Sequence, residues 1–112
     1  MKVISTEKAP AAIGPYSQGI VAGDFFFASG QIAIIPETGE IAEATIEAQT
    51  EQVMKNIGNL LAAAGADYSK VVKTSCFLAD MGDFGAFNEI YAKYFISKPA
   101  RSCVAVKTLP KN

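Results

Sequence analysis

The chain reads as an α+β domain in which two helices pack on one face of a mixed β-sheet. Two patterns carry that reading. Apolar residues recur three and four positions apart over Ile46–Ala64 and again over Phe84–Phe95, the repeat of a helix with one buried stripe. Before and between these runs lie short β-prone stretches bounded by Gly, Pro and Asp, as strands and tight turns require. The resulting order is β-β-β(-β)-α-β-α-β within one domain, residues 1–112, a length that supports one hydrophobic core and not two.

Lys2-Val3-Ile4-Ser5 is the first strand, and the prolines and glycine of Ala9–Pro15 make the next segment extended or turning. Tyr16 follows, either a packing residue with its hydroxyl at the surface or a donor to a ligand. Ser17–Val21 and Phe25–Ser29, separated by Ala22-Gly23-Asp24, read as a hairpin. Phe25-Phe26-Phe27 puts rings on both faces, which predicts a strand covered on both sides. Ser29-Gly30-Gln31 breaks that run, and Gly30 admits close approach of backbone to a bulge partner or to a ligand. Ile32–Ile35 then resumes the strand until the turn at Pro36–Glu40.

Thr45 has the chemistry of an N-cap, and Glu47 sits in the first turn, where the helix dipole favours negative charge. Ile46, Thr50, Val53, Ile57, Leu60, Leu61 and Ala64 form the stripe of the first helix, which Gly65 ends. Gly58 inside it predicts close contact with the sheet, since glycine costs a helix about 1 kcal/mol relative to alanine. Val71–Leu78 is the next strand. Asp80–Asp83 supplies a turn and caps. The second helix carries Phe84, Phe87, Tyr91, Tyr94 and Phe95 as a core stripe, with Asn88 and Glu89 beside it, and Ser97-Lys98-Pro99 ends it.

The last strand, from Pro99 to Val106, alternates Arg101, Cys103 and Ala105 on one face with Ser102, Val104 and Val106 on the other. Arg101 keeps its charge at physiological pH and presents a planar fork suited to a carboxylate or phosphate. It calls for an anion, either a ligand or a glutamate of this chain or a neighbour. Two helices cover only one sheet face. The sequence therefore predicts Ser102, Val104 and Val106 in the core, with Arg101, Cys103, Lys73, Ser75 and Phe77 on the uncovered face, where copies of the chain associate.

Composition narrows the function. Histidine is absent, which removes the commonest general base and metal ligand and every Ser-His or Cys-His pair. Ten basic against eleven acidic residues give a net charge of -1, no general footprint for nucleic acid. Half the residues are hydrophobic and 19% are charged, which excludes disorder. Cys76 and Cys103 read as free thiols in a reducing compartment. No apolar run reaches the roughly 20 residues needed to span a membrane. The expectation is a cytoplasmic protein with no membrane partner.

Six blocks then carry a resemblance: Ala11–Gln18, Ala28–Ile32, Ile46–Thr50, Val71–Thr74, Asp83-Phe84 with Asn88–Tyr91, and Pro99–Val104. Together, in this order, they resemble the reactive-intermediate deaminase family, Rid or YjgF, from about residue 7 to the end. The resemblance implies a chorismate-mutase-like fold, a trimeric barrel-like assembly with three clefts between subunits, and hydrolysis of 2-imino or 2-enamino acids to 2-oxo acids and ammonia. It places the carboxylate-binding arginine on Arg101, the cleft cysteine on Cys103, the tyrosine on Tyr16, backbone contacts on Ser29 and Gly30, and the helix asparagine on Asn88. Arg101, Tyr16 and Cys103 are the implied catalytic group. No cofactor and no metal are implied. The family's pattern runs on past Leu109-Pro110-Lys111 into a final strand whose glutamate positions water, whereas the sequence stops at Asn112, so a domain without that strand is expected. Two other readings attach to such a chain: a non-catalytic small-molecule-binding or holdase-like trimer, and an endoribonuclease or translation inhibitor.

Overall fold

A computed structural model describes residues 1–111. Its strands are β1 (Lys2–Ile4), β2 (Gly19–Ala22), β3 (Phe25–Ala28), β4 (Lys73–Leu78) and β5 (Ala100–Ala105), and its helices are α1 (Ile46–Ala63) and α2 (Phe84–Tyr94). The fold is α+β with both antiparallel and parallel pairing. The strands form two ladders: an antiparallel sheet in the order β1-β2-β3, and a parallel pair, β4-β5. β4 and β5 run parallel because α2 carries the chain back between them, the connection a parallel pair needs.

In the hairpin, Ala22 pairs with Phe25 around Gly23, whose φ of 61° fits a glycine at the first turn position. Gly19 in β2 lies under the ring of Phe26, where a Cβ would collide with it. Phe25 and Phe27, expected to be covered, are 60% and 62% exposed, their ring centroids 6.4 Å apart. The strand turns both outward beside Val3 and Ile20, and no element among the described residues covers them. Ile32–Ile35 does not resume the strand. A single bridge joins Ile34 to Ile41, and the irregular backbone is held by Asn56 of α1, whose Nδ2 donates to the carbonyls of Ile32 and Ile34 at 3.1 and 2.9 Å. Asn56 is fully buried, and Gln52 donates to its Oδ1 at 3.0 Å, so every arm of the amide is engaged.

Thr45 caps α1, its Oγ1 accepting from the Ala48 N–H at 3.1 Å. At the other end Gly65 takes φ 78°, and the N–H groups of Ala66 and Gly65 donate to Leu61 and Ala62, closing the last turn. Gly58 makes its close approach to Tyr68 rather than to the sheet: a Cβ would strike the phenol oxygen, which donates to the Met54 carbonyl. Tyr68 belongs to a 3₁₀ turn, Tyr68–Lys70, capped by the Asp67 carboxylate. That turn delays the fourth strand to Lys73. The core gathers Met54 from α1, Leu78 from β4, and Phe87, Ile90, Tyr91 and Phe95 from α2 and its end. Leu60 and Met54 are 1% and 2% exposed, which makes α1 a structural spine of the domain.

Candidate active site

The β4-β5 register decides where the arginine points. Thr74, Cys76 and Leu78 pair with Arg101, Cys103 and Ala105, and Lys73, Ser75 and Phe77 pair with Ala100, Ser102 and Val104. Leu78, Cys76 and Cys103 pack on the core, so the first set faces the helices. The expectation holds for Lys73, Ser75 and Phe77 and is reversed for the residues of β5. Arg101 and Cys103 lie on the covered face, while Phe77 and Val104 are 57% and 48% exposed on the open one and Val106 is half-buried. Apolar count alone assigns Ser102, Val104 and Val106 to the core. The aromatic stripe of α2 instead receives the arginine, because a guanidinium is flat and weakly hydrated and stacks on ring faces.

The cradle is specific. The Arg101 Cζ stands 4.7 Å from the Tyr91 ring centroid and 5.3 Å from that of Phe84. Its Nη1 donates to Asn88 Oδ1 at 2.5 Å. Phe84, Asn88 and Tyr91 are one helical turn apart in succession, so α2 presents ring, amide and ring along one side. Tyr91 is fixed in turn by a 2.7 Å hydrogen bond between its hydroxyl and Thr74 Oγ1. Among the described residues the hydrogen-bond partner of the guanidinium is this neutral amide and not a carboxylate. The remaining donors of the fork keep their positive charge and capacity for an anion.

Cys103 lies next to Cys76 across the ladder, both half-buried and free. Burial pushes the Cys76 thiol up, partly offset by Thr74, whose Oγ1 is 4.0 Å from the sulfur, and by the charge of Arg101. The sequence reading names Cys76 as a free thiol but not as a member of the site.

The other expected residues gather elsewhere. Tyr16 is 54% exposed, its ring against Gly14 and its N–H on the Gly14 carbonyl. Ser29 is held by its Oγ on the Ser17 carbonyl at 2.7 Å and its N–H on the Gln18 carbonyl at 3.0 Å. Both line an open cleft of about 450 Å³ with Pro15, Gly19, Ile20 and Phe27. Gly30 is exposed, with open space among the described residues where its Cβ would be. Arg101, Asn88 and Cys103 line neither this cleft nor a second one of about 530 Å³ around Thr6, Ala9 and Gln18. The expected residues thus fall into two groups: Arg101, Asn88 and Cys103 on the β4-α2-β5 unit, and Tyr16, Ser29 and Gly30 at the ends of the hairpin strands.

Comparison with known proteins agrees with this architecture. Residues 6–112 match the family model described as Endoribonuclease L-PSP. The chain is 58% identical over 112 residues to Reactive Intermediate Deaminase A, chloroplastic, of Arabidopsis thaliana, covering 99% of this chain and 60% of that protein's length. It is 49% identical over 111 residues to the 2-iminobutanoate/2-iminopropanoate deaminase of Mus musculus, covering 98% of this chain and 82% of that protein. A crystal structure from Thermotoga maritima superposes with a TM-score of 0.97 at 49% identity, covering 100% of this chain and 89% of that one. With the match running from Thr6 through the last strand and the folds superposing over the whole chain, this protein belongs to the Rid/YjgF family, the family that model describes as Endoribonuclease L-PSP.

Proposed function

We propose that the protein hydrolyses small 2-imino or 2-enamino acids to 2-oxo acids and ammonia, with Arg101 anchoring the substrate carboxylate. The observation that carries the reading is the guanidinium set over the rings of Phe84 and Tyr91 and bonded to Asn88, a charged fork held ready with no acidic hydrogen-bond partner among the described residues. An imine is already electrophilic. Fixing its carboxylate, excluding bulk water and presenting one water to the C=N carbon replaces a nucleophilic side chain. Water adds to that carbon, the nitrogen takes up a proton, and the carbinolamine expels ammonia to leave the 2-oxo acid. None of these steps needs histidine, which the chain lacks.

Tyr16, Cys103, Ser29 and Gly30 complete the reading as groups that line the substrate and place the water. Within one copy they stand in two groups, and the exposed rows of Phe25 and Phe27 and of Phe77 and Val104 are left uncovered. A homotrimer in which these faces meet, each cleft drawing one group from either side of a subunit seam, accounts for both facts. The location that fits two free thiols is a reducing compartment such as the cytoplasm.

The test is timed decay of 2-iminobutyrate or 2-aminoacrylate with and without the protein. Accelerated release of the 2-oxo acid and ammonia supports the reading, and an unchanged rate with retained 2-oxo acid binding replaces it with a non-catalytic binder. The family description favours one second reading, cleavage of RNA. Cleavage of a labelled RNA whose rate falls steeply with salt would establish it.

A further inference from the structure

We propose that Cys76 and Cys103 form a vicinal dithiol site that exchanges with low-molecular-weight disulfides, of the glutathione disulfide class, to give a reversible bond across the β4-β5 ladder. The two residues are Cα partners in a parallel pair, so their side chains leave the same face side by side. Parallel neighbours stand roughly 4.8 Å apart, inside the span of about 4.4–6.8 Å that a disulfide bridges. Both sulfurs are free and only half-buried, at the margin of the core and beside the Arg101 guanidinium, whose charge stabilises a thiolate.

The order of attack follows from the surroundings. Burial pushes the Cys76 thiol up, which suits it to the resolving step after Cys103 has attacked. The Cys103 thiolate attacks one sulfur of the small disulfide, breaks the S–S bond and expels one thiolate, leaving a mixed disulfide at Cys103. Cys76 then gives up its proton and attacks the Cys103 sulfur, expelling the second thiolate. Two protein thiols are oxidised, one small disulfide is reduced to two thiols, and the two protein protons end on the two leaving groups. Side chains paired straight across a ladder reach this bond only with some twisting of both strands, which makes it easily reduced.

The experiment uses the full chain and a readout independent of turnover, so its outcome stands apart from the deaminase reading. After equilibration with excess glutathione disulfide, the intact mass should fall by two hydrogens with no glutathione attached, peptide mapping should join Cys76 to Cys103, and dithiothreitol should reverse both. Cys76→Ser, lacking the resolving sulfur, should stop with one glutathionyl group on Cys103. Phenylarsine oxide should bind one arsenic per chain and silence both thiols together, which decides the matter on the wild type if a variant fails to fold. A wild type that stays reduced, retains glutathione on either cysteine, or cross-links between chains would overturn the proposal.

Discussion

The two faces of the β4-β5 ladder invert the usual relation between polarity and burial. The face under α2 holds Thr74, Cys76, Arg101 and Cys103, whereas the face turned away holds Phe77 and Val104 beside Lys73, Ser75 and Ser102. A polar residue lies inward when something shaped for it is waiting. Phe84, Asn88 and Tyr91 supply two ring faces and an amide oxygen for one guanidinium. An apolar residue lies outward when burial comes from beyond its own chain. The fold and the assembly proposed above therefore turn on the same pair of strands.

The sharpest way to break this comparison is at Arg101. Arg101→Lys should weaken binding of a 2-oxo acid nearly as much as Arg101→Ala, by roughly 2–5 kcal/mol, because an ammonium reproduces neither the fork nor the stacking. Titration calorimetry of each variant checks this, and wild-type affinity in the lysine form would remove the fork as anchor. On the opposite face, Phe77→Asp should drive the proposed trimer towards monomer at micromolar concentration. The loss should be about 1.5–3 kcal/mol for each seam that buries the ring. Light scattering reads the mass directly. An assembly untouched by the introduced carboxylate would place the seam elsewhere.

Smaller effects sharpen the picture. Tyr91→Phe keeps the ring under Arg101 but removes the hydroxyl bonded to Thr74, so stability should fall by about 1 kcal/mol in urea unfolding while 2-oxo acid affinity changes little. The smallest effect concerns Tyr94, away from both faces. Its hydroxyl donates to Glu51 Oε1 at 2.7 Å, and that hydrogen bond pushes its pKa from the ordinary 10.0 up to about 12. The folded state holds the proton more tightly than the unfolded one. This contribution is complete below pH 10 and is lost as pH rises from 10 through about 12. Tyr94→Phe should flatten that part of the alkaline stability curve, as thermal melts across this range would show.

What could be read in the sequence follows physical lines. α1 was legible with its Thr45 cap and Gly65 stop because a long periodic stripe and its end signals depend on neighbours in the chain. The hairpin was legible for the same reason. The orientation of β5 was not, because alternation says which residues share a face and not which face meets a helix. Only the pairing of Leu78 with Ala105 fixes that. The motif reading names Arg101, Asn88 and Cys103, which the structure groups on β5 and α2, and Tyr16, Ser29 and Gly30, which stand apart from them at the hairpin within one copy. It names Cys76 only as a free thiol, passes over Thr74, and does not foresee Phe84 and Tyr91 as a cradle, since their stripe is sufficiently explained as core. Buried amides such as Asn56 carry no sequence signature, because an asparagine that pins a loop looks like one on a surface.

Gln18, 4% exposed, shows how far one such amide reaches. Its Oε1 accepts from the Thr6 N–H at 2.6 Å, and its Nε2 lies within 3.0, 3.3 and 2.8 Å of the carbonyls of Thr6, Ala9 and Pro10. The strap from Thr6 to Pro10, which has no ladder of its own, is thereby tied at Gln18 and, through the Lys8 carbonyl accepting from Asn59 Nδ2 at 2.8 Å, to α1. Two side-chain amides from different elements hold it, so local opening should require both Gln18 and Asn59 to let go. The Thr6 amide proton, bonded to Gln18, should therefore exchange at the rate at which that one anchor lifts, leaving the Asn59 anchor to be read separately.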